Sequence, residues 1–109
     1  MTVANQIIIE ANDGEEKTLK LLLNNYIAAT LLQKGCQKFE LYQLFDEREH
    51  FFIIEIWKSE RRHKAFYEGD VCKNHQQAMQ TCIKTEASKP LKLTQCLTEL
   101  GLKAKEEKK

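Results

Sequence analysis

The sequence has almost no net charge: 17 lysines and arginines stand against 16 aspartates and glutamates, a formal balance of +1. Phosphate neutralisation dominates affinity for polyanions, so a nucleic-acid partner would ordinarily call for a basic excess that is missing here. A secretory leader is lacking as well. The opening Met1-Thr2-Val3-Ala4-Asn5-Gln6 has no basic segment, and the apolar run near it is only Ile7-Ile8-Ile9. A leader needs a longer run, and a membrane-spanning helix about 20 apolar residues. The expectation is a cytoplasmic protein with no membrane partner. No C-x-x-C pair occurs among Cys36, Cys72, Cys82 and Cys96. Without an export signal these read as buried free thiols rather than a disulfide frame or a zinc site. No His, Asp or Glu pair at i, i+4 makes a metal site either. There is no internal repeat.

What is present fits one domain. A chain of 109 residues can bury roughly two-thirds of its unfolded surface without a metal or disulfide. The expected domain spans residues 1–101, and 102–109 form a charged, disordered tail. Gln6 to Ala11 is β-branched, short and bounded by Asn12-Asp13-Gly14, which predicts a strand ending in a turn. From Glu15 the period changes: Leu19, Leu22, Leu23, Tyr26, Ile27 and Thr30 recur at helical spacing. Gly35 should stop that helix near Leu32 or Gln33. Phe39 to Phe45 and Phe51 to Trp57 then predict two strands joined by a charged hairpin, Asp46-Glu47-Arg48-Glu49. Ser59 suits the N-cap of a second helix, broken near Gly69-Asp70 and resumed to about Ile83. Pro90 should open a last strand, Leu91 to Leu97.

The order strand, helix, strand, strand, helix, strand predicts an α+β, ferredoxin-like β-α-β-β-α-β fold, with a four-stranded antiparallel sheet and both helices on one face. A sheet with one wet face should alternate apolar and polar residues. The third strand instead offers Phe52, Ile54 and Ile56 on one side and Phe51, Ile53 and Trp57 on the other. The second places Phe39, Leu41 and Phe45 against Tyr42 and Leu44. Two helices cover one face, so a second copy of the sheet is the simplest cover for the other, and a homodimer is expected.

Two segments at matching separation carry a resemblance. Gly35-Cys36-Gln37-Lys38-Phe39-Glu40-Leu41-Tyr42 is followed, after the hairpin, by Ile54-Glu55-Ile56-Trp57-Lys58-Ser59-Glu60. Over roughly Ile7 to Leu97 the chain resembles the antibiotic biosynthesis monooxygenase (ABM) family of the dimeric α/β-barrel superfamily. The resemblance implies the same fold and dimer. It also implies a cofactor-independent monooxygenase acting on a small electron-rich aromatic or quinol-type molecule and dioxygen. Such chemistry needs a dry apolar pocket and one base or hydrogen-bond partner. Many relatives carry two histidines in the second helix, where this chain has Phe66 and Val71.

The residues themselves offer several candidates. His75 falls in the middle of the apolar face marked by Val71, Cys72, Ala78, Met79, Cys82 and Ile83, so it is expected to face the sheet as the catalytic base. Asn5 shares a strand face with Ile7 and Ile9 and is expected beside it as the second catalytic group. Phe66, Trp57 and Tyr67 are expected to wall the substrate. Trp57 and Glu55 also suit an architectural role, with Glu55 buried against a Lys or Arg. His63, within Arg61-Arg62-His63-Lys64, reads as part of an exposed basic face. In the haem-degrading branch, the resemblance implies a first-strand Asn, a helix Trp and a helix His around haem. Asn5 matches, Phe66 replaces the Trp, and His75 comes one residue early, about 100° around a helix. No cofactor is expected, with haem the alternative. A dimer that binds a small ligand without chemistry, or is purely structural, is the other alternative. An RNA-recognition sheet is excluded, because Phe51 to Trp57 has no Gly, Lys or Arg inside its aromatic run.

Overall fold

The computed structural model describes residues 2–91. In it β1 (Val3–Ala11), α1 (Glu16–Leu31), β2 (Cys36–Gln43), β3 (His50–Trp57), α2 (Glu60–Glu68), α3 (Asp70–Met79) and β4 (Ile83–Leu91) follow in that order. A short 3-10 turn, Gln80–Cys82, joins α3 to β4. All neighbouring strands pair antiparallel in the order β2-β3-β1-β4. The topology is the ferredoxin-like one, with the second helix split in two. No helix among the described residues is long and apolar enough to cross a membrane.

Local chemistry explains the boundaries. Gly35 follows α1 at φ 87°, a region that favours glycine. It also lets α2 approach: a Cβ on Gly35 would lie 2.6 Å from the Cβ and Cγ of Arg62. Ser59 caps α2 by accepting a hydrogen bond from the Arg62 amide at 3.2 Å. Gly69 separates α2 from α3 in extended geometry, with its amide bonded back to the Phe66 carbonyl at 3.1 Å.

The last strand lies earlier than the sequence suggests. It runs over Ile83–Leu91 rather than starting near Leu91, and the second helical region stops at Met79 instead of reaching Ile83. β4 is an edge strand and largely exposed, so its polar residues show no apolar alternation to read. Pro90 sits within it, tolerated because an edge strand has unpaired amide positions. The expected strand over 92–97, the domain end at 101 and the 102–109 tail lie outside the described residues. β2 is shifted too, ending at Gln43, which leaves Phe45 88% exposed beyond the strand rather than on its inner side.

The sheet has two unlike faces. Inward, Ile7, Ile9, Phe39, Phe51, Ile53 and Trp57 meet Leu19, Leu23, Tyr26, Phe66, Cys72 and Met79 from the helices. Tyr26 meets Phe39 edge-on at 5.5 Å and stacks on Phe66 at 6.1 Å between ring centroids. Outward, Ile8 pairs with Phe52, and Phe52 with Tyr42, whose rings stack at 4.9 Å. Ile54 and Ile56 continue this half-buried row. Cys36, Cys72 and Cys82 are free thiols. Burial is the first cause raising all three above the ordinary thiol range.

Candidate active site

Strand alternation turns Glu55 inward between Ile53 and Trp57, where it is fully buried. A carboxylate in that position is costly unless donors surround it. Three do. Trp57 Nε1 donates to Oε1 at 2.6 Å, and Tyr67 hydroxyl and Asn5 Nδ2 donate to Oε2 at 2.6 and 3.0 Å. Hydrogen bonds to an ionised acceptor are short and roughly twice as strong as neutral ones. Asn5 reaches Glu55 because the two are partners in the β1–β3 register. The Tyr67 phenol is held far above its ordinary range, first by burial and then by the Glu55 charge, so it remains a donor.

A fourth group corrects the expectations for Glu55 and His63. His63 is not on an exposed basic face; its Nε2 lies 3.6 Å from Glu55 Oε1 and its side chain is 24% exposed. That distance exceeds a hydrogen bond, and the buried Nε2 has no hydrogen-bond partner among the described residues. Glu55 meets neutral donors and an imidazole rather than a Lys or Arg. The reason is helical phase: His63, Phe66 and Tyr67 stand at i, i+3 and i+4, one stripe of α2. The His63 ring meets Tyr67 edge-on at 4.9 Å and lies 6.0 Å from the Trp57 ring. The cations Arg61, Arg62 and Lys64 beside His63 in sequence hide this spacing.

The helices leave the inner surface of β1 and β4 partly uncovered, and two cavities lie along it. One of about 370 Å³ is bordered by Val3, Asn5, His63, Tyr67, Ser88 and Pro90. The other, about 410 Å³, has an apolar floor of Ile7, Ile9, Leu23, Tyr26 and Ile53, with Lys73 and Glu86 at its edge. The inward pairs Asn5–Pro90, Ile7–Ser88 and Ile9–Glu86 run in register from one to the other, so the two cavities lie side by side in the cleft along β1 and β4. Desolvation raises the Glu86 carboxyl above its ordinary range.

Of the residues singled out in the sequence, Asn5, Trp57 and Tyr67 converge on Glu55. Phe66 packs in the core against Trp57 at 4.9 Å between centroids. His75 does not join them. Its Nδ1 lies 2.8 Å from the Val71 carbonyl, and its ring lies 5.5 Å from that of Tyr26. It borders a separate hollow of about 270 Å³ between α1 and α3, with Leu22, Asn25, Asn74, Ala78 and Met79. α3 turns Lys73, Gln76 and Gln77 toward the cleft instead, with Gln80 from the 3-10 turn beside them. The pair expected around haem is not brought together: the cleft contains Asn5, but His75 opens elsewhere with one ring nitrogen committed to a carbonyl. Among the described residues no three His, Cys, Asp or Glu side chains converge as metal ligands.

The fold and cleft define a ferredoxin-like α/β domain with its chemistry-bearing side chains between sheet and helices. The model of the antibiotic biosynthesis monooxygenase family matches residues 2–78, and the chain belongs to that family. Its fold is similar to that of PA3566 from Pseudomonas aeruginosa, at 16% identity and a TM-score of 0.80, over 86% of this chain and 95% of that one. Rv0793 from Mycobacterium tuberculosis is similar at 18% identity and a TM-score of 0.80, over 88% and 98% of the two chains. SO0527 from Shewanella oneidensis gives 16% identity and a TM-score of 0.77, over 83% and 88%. At such identities the likeness is one of fold. No curated protein matches the sequence.

Proposed function

We propose that the protein is a cofactor-independent monooxygenase for a small, flat, electron-rich phenol or quinol, held in the β1–β4 cleft. The observation that carries the reading is the joining of an apolar floor to a saturated, buried carboxylate. The apolar floor of Ile7, Ile9, Leu23 and Ile53 suits a planar ring. At its end, Asn5 and Tyr67 border the neighbouring cavity and are fixed by their bonds to Glu55. A phenolic ring ionised there is a reductant in its own right. An activated ring CH₂ plus dioxygen gives a ring C=O plus water, with all four electrons supplied by the substrate. No external reductant enters. The protein's task is to bind, desolvate and deprotonate.

The dimer belongs to the same reading. Ile8, Tyr42, Phe52, Ile54 and Ile56 form an outward apolar row that the helices do not touch, and a second copy packed sheet to sheet would cover it. Localisation in the cytoplasm is part of the proposal.

Oxygen consumption in the presence of a panel of hydroxyanthrones, naphthols and quinols tests the function. The expected result is protein-dependent uptake, one dioxygen per substrate, with one oxygen atom from ¹⁸O₂ retained in the product. Uptake no faster than the buffer rate across the panel, with the folded protein at micromolar concentration, overturns it.

A further inference from the structure

We propose that His63 is the acid–base residue of this cleft and Glu55 the group that positions it, so that the pair takes a proton from an acidic hydroxyl bound beside Asn5 and Ser88. The inference rests on the proposed reading of the cleft and names the chemistry of its substrate, a phenol or enol whose conjugate base is stabilised by its ring.

Three observations meet at His63. The first is position: it is the one histidine bordering the cleft, in the cavity of about 370 Å³ with Asn5, Tyr67 and Ser88. An apolar cavity of about 150 Å³ already holds benzene, so a single ring has room. The second is the pairing of Nε2 with Glu55 Oε1 across 3.6 Å. A carboxylate accepts and does not donate, so the neutral ring keeps its hydrogen on Nε2 and leaves Nδ1 free to take a proton. The third is that Nε2 is buried with no hydrogen bond. A buried donor left unpaired costs about 1–3 kcal/mol, and closing a few tenths of an ångström onto Oε1 removes that cost. Protonation of Nδ1 strengthens the attraction, so the pair tightens as the proton arrives.

The step balances simply. The substrate O–H bond breaks, its electron pair stays on oxygen, and the proton forms an N–H bond at His63 Nδ1. The site then holds an imidazolium between the Glu55 carboxylate and the new phenolate. Asn5 and Tyr67 are already committed to Glu55 Oε2, which fixes the carboxylate's orientation. Glu55 and Tyr67 are the ionisable groups facing the ring; from β1 and β4 it faces Asn5, Ser88 and Pro90, which carry no charge.

A coloured phenol separates this inference from the oxygenase reading. 4-Nitrophenol absorbs differently as phenol and phenolate, and dioxygen does not oxidise it under these conditions. Bound to wild-type protein below its solution pKa, it is expected to show the phenolate band. His63→Gln, at a partly exposed position, should retain the fold and bind the probe without that band. Glu55→Gln should weaken the band. With an oxidisable phenol, His63→Gln should reduce kcat by about 10²–10⁴-fold and leave KM within about threefold. His50→Gln, on the distant hairpin, should change neither. A phenolate band of equal strength in wild type and His63→Gln overturns the assignment, as does a probe that stays neutral on wild type. A band lost in His63→Gln without oxygen uptake by any protein upholds the proton-transfer pair and sinks the oxygenase.

Discussion

α2 and α3 lie end to end across Gly69 and each contributes one histidine to the interior side of the molecule, yet the two rings have different surroundings. On α3, His75 has polar neighbours along the chain and apolar ones at i±3 and i±4, and its Nδ1 is satisfied by the carbonyl one turn back. On α2, His63 lies among cations in sequence, and its Nε2 faces a buried carboxylate with no hydrogen bond. Sequence neighbours describe what surrounds a residue along the chain. The i, i+3, i+4 stripe describes which residues share a helix face, and what that face packs against is set by the fold. The α2 stripe of His63, Phe66 and Tyr67 ends on Glu55, whereas His75 opens on a hollow between helices.

The largest expected difference between the two regions is energetic. Trp57→Ala should destabilise the fold by about 3–5 kcal/mol, because it opens a cavity in the core and strips one donor from a buried carboxylate. Denaturant titration measures it; a loss below about 1 kcal/mol would mean that the Glu55 cluster does not organise this end of the molecule. Tyr67→Phe removes one donor and should cost about 1–3 kcal/mol. The same variant tests a pH dependence. The Tyr67 and Tyr26 phenols are raised above their ordinary value of 10.0, burial being the first cause in both. A raised folded value favours the native state fully below pH 10 and loses that advantage as pH rises further, since the unfolded chain releases the proton first. Wild-type stability should therefore fall by about 1.4 kcal/mol per pH unit for each such ring above pH 10. Tyr67→Phe should remove one ring's share of that slope, and an unchanged slope would show that Tyr67 titrates as if exposed.

A smaller effect on the fold, with a large one on assembly, is expected outside the cleft. Ile54→Lys places a charge in the middle of the outward row without touching the core. Folding stability of the isolated chain should change by less than about 1 kcal/mol, while sedimentation shifts from twice the chain mass to one. A wild-type chain that sediments as a soluble monomer at micromolar concentration removes the sheet-to-sheet dimer.

Much of this was legible in the residues. The element order, the two-faced β3, the helix stop at Gly35 and the Ser59 cap follow from periodicity, turn chemistry and caps. β4 was not, because an exposed edge strand needs no apolar alternation, and Ile83–Leu91 has nearly none. Asn5, Trp57 and Tyr67 stood out in the sequence, but the partner they share was not legible. Glu55 sits in an apolar run where a carboxylate signals burial, and the sequence does not say which donors close around it. The signal for His63 was present in its spacing to Phe66 and Tyr67.

The smallest expected effect gives the sharpest test of the contrast between the helices. His75→Gln keeps a polar side chain of similar reach, able to donate to the Val71 carbonyl as the imidazole does. It loses a ring placed 5.5 Å from that of Tyr26, worth about 0.5–1.5 kcal/mol when such pairs are well placed. Stability should fall by about that amount or less, and kcat and KM on any oxidised phenol should stay within about twofold. In the proposed reading the site does not use this ring, which opens on a hollow bordered by Leu22 and Asn25 rather than on Asn5. Were His75→Gln instead to lower kcat a hundredfold while His63→Gln left it unchanged, the base would lie on α3. The cleft would then have to rearrange on binding to bring His75 round, since its ring lies about 100–160° around the helix from Lys73, Gln76 and Gln77, which line the cleft.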